Sequence, residues 1–173
     1  LGEYLKDFIP EGLRSQIVEA LDDNVHSFHA QVTFSDEKGE TAKTVVMRYI
    51  SGCMTQGFFA HVNSSEWKAL TKKQALKGYF HDIQRHIEWQ WEGTVELLQG
   101  EKNAYILERR WQELREDLRR RYWLEYLSSA NESKKSFDPN VRCPTIGIVL
   151  CHPHQWEILK ANEKGIVEKH RYI

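Results

Sequence analysis

Long apolar runs, a charge excess of either sign and a paired cysteine framework are all missing from this sequence. Its 24 lysines and arginines stand against 25 acids, for a formal net charge of −1. That balance excludes the whole-molecule basic field with which many nucleic-acid binders concentrate on phosphate, so any such contact has to be local. No stretch approaches the roughly 20 apolar residues that span a bilayer, and the first residues lack the basic, apolar, small-residue order of a signal peptide. The cysteines number three, Cys53, Cys143 and Cys151. An odd count in a chain of ordinary size suits a reducing compartment better than a disulfide framework. The expectation is an intracellular protein, cytoplasmic or nuclear, with no membrane partner. A glycine-rich phosphate loop, a nucleophile elbow and a kinase signature are also missing, which argues against nucleotide hydrolysis and serine-hydrolase chemistry.

What is present is the composition of an ordinary folded protein, 40% hydrophobic and 28% charged over 173 residues. With no internal repeat, low-complexity tract or dividing linker, residues 1–173 read as a single domain. Six tryptophans, several in charged stretches such as Glu88-Trp89-Gln90-Trp91 and Arg110-Trp111-Gln112, are expected to anchor a core or an interface.

Apolar spacing predicts an N-terminal helix over 11–21. Alternation in 25–34 and β-branched residues in 44–50, around Asp36-Glu37-Lys38-Gly39-Glu40, predict an antiparallel hairpin. A short strand over 58–62 follows, and then a helix over 65–76 that starts at a capping serine. Residues 79–98 fit both periods: Ile83, Ile87 and Trp91 match a helix, while Ile87, Trp89 and Trp91 match a strand. A long amphipathic helix is predicted over 101–127 from the stripe Leu107, Trp111, Leu114 and Leu118. The continuous apolar run Thr145-Ile146-Gly147-Ile148-Val149-Leu150 reads as a strand buried on both faces, and 155–173 as a short helix with a polar tail. The fold class is therefore α+β: N-terminal helix, antiparallel hairpin, and a long amphipathic helix packed on a small mixed sheet with a late buried strand.

Two clusters suggest chemistry. Arg115, Arg119, Arg120 and Arg121 could face phosphate, but Glu116 and Asp117 lie four residues before Arg120 and Arg121, the spacing of helix-stabilising ion pairs. Cys151, His152 and His154 place three metal-capable side chains in four residues, an alternative Zn²⁺ site. Pro153 between the histidines turns the backbone, and no second ligand pair lies at finger-like spacing. His26 with His29, and His81 with His86, do not share a face on a strand or helix respectively.

The phrase Pro144-Thr145-Ile146-Gly147-Ile148-Val149-Leu150-Cys151, with Tyr126-Leu127-Ser128 at the end of the long helix, resembles the late core strand of the restriction-endonuclease-like nuclease superfamily. The resemblance implies a divalent cation, Mg²⁺ or Mn²⁺, held by Asp82 and Glu96, with water activated for phosphodiester attack. Leu98 stands where that family's lysine belongs. The resemblance therefore implies either that Lys102, His81 or His86 assists the water, or that cleavage has been lost. The leading expectation is a nucleic-acid-associated domain with Asp82, Glu96 and Lys102 as catalytic residues and the four arginines on phosphate. The second is a non-catalytic protein-interaction module, or subunit of a larger assembly, using its Trp/Arg-rich helix.

Overall fold

The computed structural model describes residues 29–47, 49–50, 55–132 and 134–172, together with Ser15 and Glu19. The helix expected over 11–21 otherwise lies outside these residues, as do His26 and Cys53.

The hairpin is where alternation places it: β1 (His29–Asp36) pairs antiparallel with β2 (Gly39–Val46). Its turn is closed by Asp36, which accepts from the Lys38 amide at 2.8 Å and from the Thr41 hydroxyl. After β3 (Tyr49–Ile50) and β4 (Gln56–His61) comes helix α1 (Ser65–Lys72). The Ser64 hydroxyl caps α1 by accepting from the Trp67 amide at 3.3 Å. Then the two-period segment resolves as strand, β5 (Ala75–Asp82) and β6 (Ile87–Leu98), paired along their whole shared length. Burial on one face explains the choice. Ile87, Trp89, Trp91 and Val95 alternate into the interior, which a helical period could not do.

A 3₁₀ turn (Glu101–Asn103) leads to α2 (Ala104–Glu113) and α3 (Glu116–Ser129). The single long helix expected over 101–127 is thus two helices. Leu114 and Arg115 adopt extended backbone between them, and the acids Glu116 and Asp117 open the second, where the helix dipole favours negative charge. The apolar run opens β7 (Ile146–Ala161), which forms a hairpin with β8 (Val167–Tyr172). The short helix expected over 155–173 is replaced by this hairpin.

The eight strands of the described residues form one antiparallel sheet, seven of them in the order β2-β1-β5-β6-β7-β4-β3 and β8 joined to β7 off this path. One side of β7 is covered by β6 throughout; the other is shared by β4 and then β8. The sheet curls until β2 comes back against β4. Two cores result. The interior of the curl holds Val32, Phe58, Leu76, Phe80, Trp89, Trp91, Val149 and Trp156, closed by Trp67 and Leu70 of α1. On the outer side of β4 and β7, Phe59, Ile146 and Ile148 pack under Leu107 and Trp111 of α2 and Tyr122 of α3. The expectation that the 145–150 run is buried on both faces is met because these two layers lie on either side of it. The mixed α and β content stands; the small mixed sheet becomes a large antiparallel one.

Candidate functional site

Three places on this frame gather polar side chains. The first is the corner between β4 and α1. Ser65 and Lys68 are exposed at the start of α1, and Lys43 reaches across from β2 to pair with Glu66. First-turn amides of a helix lack intrahelical acceptors, and the dipole adds positive potential there. Lys43 holds the Glu66 carboxyl below its usual range even though burial works in the opposite direction.

The second is a knot between β4 and α3. His61 leaves the outer face of β4 and sets Nδ1 2.8 Å from the Thr145 hydroxyl and Nε2 3.2 Å from the Glu125 carboxylate. Tyr122 meets the ring edge-on, and Arg121 also pairs with Glu125. Burial by itself disfavours the imidazolium, but the Cys143 sulfur and the Glu125 carboxylate outweigh it, so the His61 pKa is raised to about 9.

The third lies on the outer face of the β6–β7 ribbon. His152 Nε2 is 2.9 Å from a Glu96 carboxylate oxygen, and its Nδ1 is 3.1 Å from the Thr55 hydroxyl. Separately, Thr33, Ser35, Glu40, Lys73, Lys77 and His154 are among the residues lining a cleft of about 150 Å³.

The residues expected from the sequence are distributed over all of this. Asp82 is a buried turn residue: its carboxylate accepts from the amides of Gln84 and Arg85 at 3.0 and 3.2 Å and from the Arg85 guanidinium at 2.8 Å. It pairs with Ile87 at one end of β6, while Glu96 lies nine residues further along that strand, about 30 Å at the usual rise. The two acids therefore cannot share an ion. Lys102 lies on the exposed 3₁₀ turn. Cys151 points into the interior and His152 outward, because neighbours on a strand face opposite ways. Burial pushes the Cys151 thiol up to about 12, with the Trp91 indole acting weakly against it. Among the described residues no group of three or more His, Cys, Asp or Glu side chains could hold a metal ion, so the expected Mg²⁺, Mn²⁺ and Zn²⁺ sites are corrected.

The arginines are engaged locally: Arg115 with Asp117 at 2.5 Å, Arg120 with Glu116 at 2.6 Å, Arg121 with Glu125 at 3.3 Å, and Arg119 with Gln112 at 3.1 Å. The tryptophans of the same helices serve the fold. Trp111 is fully buried and donates to the Pro139 carbonyl at 3.1 Å, while half-buried Trp123 donates to Val141 at 2.8 Å and stacks on Phe137. Sequence reasoning missed Lys43, His61 and Thr55. Only His61 carried any signal, as a polar residue closing an apolar strand.

No protein-family model matches the sequence, and no curated protein matches it. Solved structures do. A pyridoxamine 5′-phosphate oxidase-related, FMN-binding protein of Nostoc punctiforme shares 16% identity, with 96% of this chain covering 98% of that one at a TM-score of 0.73. PhzG of Burkholderia lata, solved with tetrahydrophenazine-1-carboxylic acid, shares 14% identity over 96% and 88% of the two chains, at 0.69. A Clostridium acetobutylicum protein of the pyridoxinephosphate oxidase family, related to general stress protein 26, shares 13% identity over 94% and 96%, at 0.61. These likenesses establish the fold. They overturn the restriction-endonuclease-like resemblance: the strand phrase sits in an antiparallel sheet between β4 and β6, and the nuclease, nucleic-acid and interaction-module expectations are withdrawn with it. No helix among the described residues is long and apolar enough to cross a membrane.

Proposed function

We propose that this chain is a single-domain flavin-binding protein whose cofactor is FMN. The observation that carries this reading is its nearly end-to-end correspondence with the Nostoc protein described as FMN binding. The Clostridium protein, described as of the pyridoxinephosphate oxidase family, supports it from a second lineage.

FMN offers a phosphomonoester with close to two negative charges and a flat, largely apolar ring with a hydrogen-bonding edge. The described residues contain a donor set suited to the first part. At the β4–α1 corner stand Lys43, Lys68, the Ser65 hydroxyl and the opening turn of α1, and helix starts of this kind are natural phosphate sites. Lys43 and Lys68 would hold the phosphate, with Ser65 donating a hydrogen bond. When bound, the flavin would supply two-electron redox chemistry that no side chain provides. The chain's own part is positional. Lys43 comes from a strand and Lys68 from a helix capped by Ser64, so both cations approach from anchored elements. Glu66 already occupies Lys43, so an incoming phosphate has to displace that carboxylate.

Titration of the purified chain with FMN, read by quenching of flavin fluorescence, tests the assignment. Lys43→Ala and Lys68→Ala should each weaken binding roughly tenfold, the usual worth of a charge-assisted contact. Glu66→Gln, by freeing Lys43, should tighten it. Affinity unchanged in both lysine variants would place the phosphate elsewhere.

A further inference from the structure

The third polar group, on the open face of the β6–β7 ribbon, has no part in the flavin reading. Its members come from three segments of the sheet: Thr55 immediately before β4, Glu96 in β6 and His152 in β7. The pairing of β4 and β6 on either side of β7 brings them together, since Gln56 and Val95 both lie opposite Cys151. Thr55 Oγ1 stands 3.1 Å from His152 Nδ1, and His152 Nε2 stands 2.9 Å from Glu96 Oε2.

The order of the groups favours one direction of proton transfer. An ionised carboxylate only accepts, so it draws the ring proton to Nε2 and leaves the Nδ1 lone pair facing the Thr55 hydroxyl. Hydroxyl, imidazole and carboxylate joined in that order form the arrangement that activates an alcohol as a nucleophile. The group is open to small molecules, with His152 and Glu96 side chains 33% and 56% exposed. Glu96 and His152 are held within strands, and Thr55 directly precedes one. The neighbouring Cys151 thiol faces the interior and, with burial pushing it up to about 12, is no rival nucleophile.

We propose that Thr55, His152 and Glu96 form an acyl-accepting site for activated esters or thioesters of small acids. Thr55 Oγ attacks the acyl carbon while His152 Nδ1 takes the hydroxyl proton. The bond from carbon to the leaving oxygen or sulfur then breaks, and that atom leaves with the proton carried by His152. Water attacks the Thr55 ester in the same way, which returns the free acid and the threonine hydroxyl. No oxidant or reductant enters. Thr55 and His152 are catalytic residues; Glu96 is a positioning residue that orients the ring.

The test uses the full chain and p-nitrophenyl acetate, reading p-nitrophenolate release and locating the acetyl group by peptide mass. It needs no flavin, so its outcome is separable from that of the FMN titration. A burst with acetate on residue 55 is expected. Thr55→Ser should retain it and Thr55→Val should abolish it. His152→Ala should slow acetylation roughly a hundredfold, the usual contribution of a general base, with partial rescue by free imidazole. Glu96→Gln should slow it less, and Glu96→Asp should recover part of that loss. Acetate found only on lysines, or a burst that survives unchanged in Thr55→Val or His152→Ala, would overturn the proposal.

Discussion

At the scale of single residues, the interior of the curl depends on side chains that are absent. A β-carbon on Gly78 would come 2.0 Å from the Trp91 indole, and one on Gly147 would come 2.5 Å from the Trp67 ring. Large aromatics and glycines are therefore fitted to one another across the core. Gly78→Ala should destabilise the protein by about 1–3 kcal/mol through overpacking, measurable as a lower urea midpoint with an unchanged slope. A midpoint equal to that of the parent would mean that the indole is free to move aside. The tryptophans were legible in the sequence as core anchors, but which glycines faced them was not, since that depends on cross-strand register.

His61 gives a second residue-scale prediction. Its folded pKa of about 9 lies above the ordinary value of 6.5 because the contributions of Cys143 and Glu125 outweigh burial. A raised value means that protonation favours the folded state. The contribution is fully present below about 6.5 and is lost as pH rises through 9. Glu125 shows the opposite sign: His61 holds its carboxyl below the usual range, so its share is lost in acid. Melting temperature should therefore fall between these two pH values in the parent protein and fall less in His61→Gln. Parallel curves for the two proteins would remove His61 as the titrating group.

At the scale of elements, the hairpin, the capped helix and the apolar run could be read from local pattern, whereas the long strand and the helix break could not. Pro153 looks like the end of a strand because it cannot donate to a ladder. Here β7 runs through it, with Gly93 opposite and the register shifting between Glu92 and Gly93. This bulge leaves His154 without a partner in β6, and residues 152–155 lie between the stretches of β7 that pair with β4 and with β8, so a proline is accommodated here. The break at Leu114 has no proline or glycine to announce it. Its only local sign is the acidic pair that opens α3. The ion pairs of α3 are solvent-exposed, so Arg120→Ala should change stability by less than about 1 kcal/mol. Trp111→Phe, which leaves the buried Pro139 carbonyl without its donor, should cost about 1–3 kcal/mol. Chemical denaturation of both variants checks the contrast, and a larger loss for Arg120→Ala would reverse this view of what holds the helices.

At the scale of the whole molecule, the class of the chain was legible and its topology was not. Alternation shows that a segment is a strand and which side it buries, but not which neighbour it joins. The order β2-β1-β5-β6-β7-β4-β3 follows from long-range pairings, such as β4 with β7, that no local pattern encodes. For the same reason Asp82 and Glu96 looked like partners in the chain and prove to stand at opposite ends of β6. Thr55, Glu96 and His152, scattered in sequence, meet in space.

Whether the chain holds FMN is read from the binding isotherm of FMN on the unmodified protein by equilibrium dialysis. Saturation at a fixed flavin-to-chain ratio, with riboflavin binding at least tenfold more weakly for want of the phosphate contacts, is the predicted result. Flavin partitioning equally across the membrane at every concentration would contradict the account.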